Sequence, residues 1–182
     1  MYLLHNNHLS LRAALLILSL IVFSIATNAQ LASRKALSNT IQINLPSVFR
    51  LMDANTLATK YPPNNKPSEV YTNEEATVNI ALKHTQQLLS EQNVSTEGKK
   101  LQQQLTNGGK VELVSSEQIK ANGNNIHVFS FYSNAIDTRV YNVMFIFSLK
   151  GKMAVGSFNC TIALQNQWQV IAYEIIRSIK KI

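Results

Sequence analysis

The sequence predicts an α+β fold: a mainly antiparallel sheet of about six or seven strands with helices on both faces, an α/β/α sandwich. Three observations carry this reading. Alternating apolar runs are joined by short turn signals, as hairpin-linked antiparallel strands require. One run, "RVYNVMFIFSLK", is apolar on both sides, with Tyr141, Val143, Phe145 and Phe147 opposing Val140, Met144 and Ile146. Such a strand has to be covered twice. The last segment, "QNQWQVIAYEIIRSIKKI", places Trp168, Ile171, Ala172, Ile175, Ile176 and Ile179 on one helical stripe, so a long closing helix supplies part of that cover.

Taken in order, residues 1–29 read as a signal peptide. Arg12 is followed by the apolar run "AALLILSLIVFSIA", and Thr27 and Ala29 are small residues ahead of a cut before Gln30. The run is shorter than the roughly 20 apolar residues a membrane span wants, so cleavage leaves no stable span. Export to the periplasm or the outside follows. Residues 30–40 show no periodicity and read as a flexible lead-in to a single domain over 41–182. Within it, "TIQINLP" is a half-buried strand closed by Pro46. Asp53 caps a short helix over "ANTLATKY", which Pro62 and Pro63 terminate. "EVYT" and "ATVNIALKH" make a hairpin across the turn "NEE". A second helix is expected over 96–106, weakened by Gly98 and ended by "NGG". "KVELVSSEQIKANG", "IHVFSFYSN", "RVYNVMFIFSLK" and "MAVGSFNCTIAL" then run as four meandering strands, with "GK" at Gly151 and Lys152 as the last tight turn.

Composition narrows the function classes. The formal charge is +7, but the basic residues are scattered and no basic run is interleaved with aromatics, as a single-strand nucleic-acid groove requires. The only cysteine is Cys160, deep in an apolar stretch. A bacterial lipid anchor needs a cysteine at the cut, so none is expected here, nor is an internal disulfide. Cys160 reads as a small buried hydrophobe. The mature chain keeps two histidines, His84 and His127, with no spacing that suggests zinc, and no Gly-rich phosphate loop or GxSxG elbow is present. No cofactor is implied. Asp137 reads as a turn-ordering residue. The sequons at Asn93 and Asn159 matter only in a glycosylating pathway.

The remaining candidate is the loop "KYPPNNKPSEVY". Tyr61 and Tyr71 flank a proline-stiffened stretch that carries Asn64, Asn65 and Lys66. Stiffening lowers the entropy cost of presenting side chains to a partner, and it equally keeps a sheet edge from extending. Both readings stay open, a connector or a partner-binding loop of Tyr61, Asn64, Asn65, Lys66 and Tyr71.

The stretches "LPSVFRLMDANTLATKYPPNNKPSEVYTNEEATVNIALKHT" and "DTRVYNVMFIFSLKGKMAVGSFNCTIALQNQWQVIAYEIIRSI" resemble a group of exported, uncharacterised bacterial proteins, chiefly of Bacteroidota. Their layout in turn resembles the PsbP-like fold, shared by the photosystem subunit PsbP and by DcrB-type envelope lipoproteins. The shared motif is an early strand, a "KYP…P…Y" loop before a hairpin, and a final hairpin with a tryptophan-bearing amphipathic helix. The resemblance implies a non-enzymatic accessory or binding module, with a protein or envelope component as partner, and it carries no active-site residues. The missing lipobox cysteine departs from the DcrB pattern. A hydrolase with a dispersed site around His84 or His127, and a secretion-system immunity or chaperone-like factor, are the alternative expectations.

Overall fold

The computed structural model describes residues 30–61, 63, 66–135 and 138–182, so the signal-peptide reading and the expectations for Asn64, Asn65 and Asp137 lie outside the described residues. In chain order the elements are β1 (Leu31–Ala36), β2 (Ile41–Pro46), β3 (Arg50–Leu51), α1 (Ala54–Lys60), β4 (Glu69–Thr72), β5 (Val78–Leu88), α2 (Val94–Thr106), β6 (Val111–Ala121), β7 (Asn124–Asn134), β8 (Arg139–Leu149), β9 (Lys152–Thr161), α3 (Gln165–Arg177) and β10 (Lys180–Lys181). Seven strands form an antiparallel sheet in the order β3-β4-β5-β9-β8-β7-β6. β1, β2 and β10 form a second, three-stranded sheet.

Period-two patterning sorts the main sheet into two faces. On one face Ile80, Leu82, Phe158, Val143, Phe145, Ile126 and Val128 are fully buried. They lie under α3, which contacts β2, β6, β8 and β9. Trp168 is the centre of this layer: its ring stacks on Phe49 at 5.4 Å between centroids and meets Phe158 at 6.5 Å. On the opposite face α2 packs over β6, β7 and β8, where Val94 and Leu101 meet Leu89, Ile146 and Met153. Helices therefore cover both faces, as the doubly apolar β8 requires. The local signals also hold. The Asp53 carboxylate accepts from the Asn55 and Thr56 amides at the start of α1, and the hydrogen bonds hold its pKa below the ordinary value.

Three local expectations are corrected. Residues 31–36 are not a lead-in but β1, paired along its length with β2. Its side chains are mostly half-exposed, so no apolar alternation betrays it; backbone bonds hold it, together with Arg34, which donates to the Phe49 carbonyl at 3.0 Å. The last hairpin turns at Lys150 and Gly151, both with positive φ, as a type I′ turn requires, and Lys152 already belongs to β9. The closing helix ends at Arg177. Lys180 and Lys181 leave it to pair with Gln42 and Ile41, and the buried Ile179 sits between helix and strand instead of continuing the stripe. The three-stranded sheet these segments build was not expected.

Trp168 is 7% exposed and Val170, two residues on, is 64% exposed. Trp168→Ala is expected to cost about 3–5 kcal/mol in denaturant unfolding, as large-to-small aromatic changes in cores do. Val170→Ala is expected to stay within about 0.5 kcal/mol. Equal midpoints for the two variants would contradict the placement of α3.

Candidate functional site

α2 does not reach across the whole of its face. Beside it, over β5 and β9, the sheet opens into a groove of about 450 Å³, within the range of small-molecule sites. Ala81, Met144, Met153 and Val155 form its floor, Leu101 and Leu105 of α2 one wall, and Tyr61 and Pro67 the other. Lys83, Thr85 and Gln87 line one rim, the last two in the stretch of β5 where its register with β9 shifts. The two methionines are the adaptable part of this surface, since an unbranched thioether chain re-packs easily.

A polar row runs across the same strands two residues beyond Ala81 and Ser157. Thr72 donates to Asn79 Oδ1 at 2.8 Å, and Asn79 Nδ2 donates to Asn159 Oδ1 at 3.0 Å across β4, β5 and β9. Burial raises the Tyr61 phenol's pKa, and a side-chain hydrogen bond with Asn159 pulls the other way. Tyr61 also packs on Met52, Val70 and Ala81. These contacts tie the wall after α1 to the floor strands.

Of the five loop residues predicted as a partner surface, only Tyr61 lines the groove among the described residues. Lys66 is exposed. Tyr71 belongs to β4, is 8% exposed and pairs with Ile80 on the opposite face. Its hydroxyl donates to Glu69 Oε2 at 2.9 Å. Burial, and then Glu69, push its pKa up to about 12. The two tyrosines therefore do not share a surface, because the strand alternation of "EVYT" turns the second one inward. Sequence reasoning missed Ala81, Lys83, Met144, Met153 and Val155, which come from three strands and converge only through register. The one usable signal was Leu101 and Leu105, a turn apart on an otherwise polar helix.

The histidines are engaged elsewhere. His84 Nε2 lies 3.1 Å from the Leu149 carbonyl. His127 is 2% exposed beneath α2, and neither ring nitrogen has a hydrogen-bond partner among the described residues. The hydrolase reading asks for an imidazole bonded to a serine and a carboxylate, and neither histidine makes that arrangement among the described residues. Cys160 is 1% exposed, and burial pushes its thiol up to about 12, far from the range of a reactive thiolate.

No model of a known protein family matches the sequence, and no curated protein does. Solved structures do match. The solution structure of cyanobacterial PsbP (CyanoP) from Synechocystis sp. PCC 6803 superposes with a TM-score of 0.59 at 11% identity, over 87% of this chain and 96% of that one. A mutant of the protein Mog1 gives 0.55 at 15% identity, over 84% and 96%. A protein from Bacteroides thetaiotaomicron VPI-5482 gives 0.56 at 11% identity, over 82% of this chain and 48% of that one. The architecture is thus the PsbP-like fold that the resemblance implied, shared with Mog1.

Two predictions concern the contact of α2 with the sheet. A Cβ at Gly98 would stand 2.2 Å from the His127 ring. Helix propensity favours alanine by about 1 kcal/mol, but overpacking costs about 1–3 kcal/mol, so Gly98→Ala is expected to lower the melting temperature. Stabilisation instead would mean the ring yields. Burial lowers the pKa of His127, and Lys99 acts in the same direction. The unfolded chain takes up this proton near pH 6.5 and the folded chain only at lower pH. Stability is therefore complete above about pH 6.5, falls as pH drops towards the folded pKa, and levels off below it. Urea titrations across this window should show the slope, and His127→Leu should flatten it.

Proposed function

We propose that the chain is an exported, non-enzymatic accessory or binding module of the cell envelope that holds its ligand or partner in the groove between α2 and Tyr61. The observation that carries this reading is the groove itself: an apolar strip of about 450 Å³ on a sheet whose central strands are otherwise buried. Leaving Met144, Val155, Leu101 and Leu105 partly open to water forgoes burial at roughly 25 cal/mol per Å². A further turn of helix or a longer loop would recover it, so a bound apolar group is a physical reason for the strip to persist. Export rests on the apolar segment at residues 13–26 and its small-residue exit. The accessory role rests on the fold, which is similar to that of cyanobacterial PsbP.

The test is binding of the neutral fluorophore N-phenyl-1-naphthylamine, whose emission rises in apolar surroundings. Wild-type protein is expected to enhance it saturably. Val155→Arg, which puts a charge on the groove floor, should abolish the enhancement, and Val170→Arg on the exposed side of α3 should not. Equal enhancement by all three proteins would remove the groove from the proposal.

A further inference from the structure

The helix that walls the groove is seated on a titratable group. The His127 ring is 2% exposed, and neither of its nitrogens has a hydrogen-bond partner among the described residues. Gly98 of α2 lies so close that a Cβ there would stand 2.2 Å from the ring. Gln102, one turn further along the same side of the helix, also has a buried Oε1 without a partner among the described residues. The strands around the ring bring it no counter-charge. Gln118 of β6 and Ile146 of β8 stand opposite His127, and the Phe129 ring lies 6.1 Å away. On β6, Glu112 and Glu117 pair with Tyr132 and Val128 on the α3 face, and Lys120 pairs with Asn125. Arg139 of β8 is bonded to Glu112. On and before α2, Glu97 is paired with Lys100 at 2.7 Å and Glu91 with Lys181. Lys99, beside Gly98, acts with burial against a proton on the ring.

We propose that α2 is a proton-operated latch on the groove: a proton taken from solvent at His127 lifts α2 from β7, withdraws Leu101 and Leu105 from the groove, and releases the occupant. The proposal rests on the binding reading above and adds its regulation. A neutral imidazole leaves one N–H unmet in this seat, and an imidazolium leaves two together with an unpaired charge, which is far costlier to bury. Undocking α2 brings water to the ring. The helix is free to leave, because it is held on Leu89, Ile146 and Met153 by the apolar contacts of Val94 and Leu101. The Trp168 layer is on the other face of the sheet and keeps its packing. By linkage, an occupant that favours the docked helix makes His127 harder to protonate.

The experiment follows the full chain from about pH 7.5 to about pH 4.5, spanning the range below the ordinary histidine value. Amide hydrogen exchange, corrected for its intrinsic pH dependence, should show protection of α2 falling at least about tenfold, while Trp168 emission stays constant. N-phenyl-1-naphthylamine should bind about tenfold more weakly at the acid end. The His127 imidazole resonances should titrate together with the loss of α2 protection, and at lower pH when the fluorophore is saturating. His127→Leu should make protection and affinity independent of pH, and His84→Gln should behave as wild type. Unchanged α2 protection in wild type, a loss of protection that does not follow the His127 titration, or a Trp168 change in step with it overturns the latch. Fluorophore bound equally at both ends overturns its coupling to the groove and leaves the binding reading standing. Failure of the fluorophore to bind at the neutral end overturns the binding reading, and the release of an occupant with it.

Discussion

The architecture depends on a mismatch of widths. Seven strands at about 4.8 Å spacing make a sheet nearly 30 Å across, and a helix with its side chains spans only about 10–12 Å. On the Trp168 face the mismatch is resolved by adding the three-stranded sheet beside α3, so Ile41, Ile43 and Leu45 join the same buried layer. On the other face α2 stands mainly over β6, β7 and β8 and reaches β9 at Met153, while Leu57 of α1 and Tyr61 after it pack against Ala81 of β5. The groove is what remains between them. Its place in the fold is set by geometry before any of its lining residues is considered.

The way α2 is seated follows from the same constraint. A helix alone on half a face must lie close to the strands to seal them, and Gly98 provides that approach by letting the His127 ring sit where a side chain would otherwise be. The cost is a buried imidazole with both nitrogens unpartnered among the described residues. A charged form of that ring is disfavoured in such surroundings. The wall that carries Leu101 and Leu105 is therefore held by packing, with little polar locking beneath it.

Most of the sheet could be read in advance because β7, β8 and β9 carry their burial in their own alternation. The doubly apolar β8 announced two covering layers, and the Trp168 stripe announced α3. β1 was invisible because an edge strand of half-exposed residues has no periodicity to show; its partner, not its composition, makes it a strand. β10 was hidden inside a helical stripe, since Ile179 is buried whether the chain there continues the helix or leaves it. The groove was illegible for a further reason. Met144, Met153, Val155 and Ala81 are ordinary sheet residues one at a time, and only the register of β5 with β9 and of β9 with β8 sets them side by side.

The pairing of β10 with β2 also bears on the order in which the fold is completed. Lys181 lies opposite Ile41, the Asn44 amide donates to the Ser178 hydroxyl at 2.8 Å, and Asn124 holds the Ile179 carbonyl at 3.2 Å. The first two contacts span about 134–140 residues, and contacts of such sequence separation form late because the closure entropy must be met first. A nascent chain that has not yet made α3 and the residues after it lacks the strand that pairs with β2 opposite β1 and the Trp168 ring that stacks on Phe49. Until that segment emerges, the earlier strands stay available to whatever machinery handles an unfolded chain, and the pairing of β10 with β2 decides when this sheet is complete.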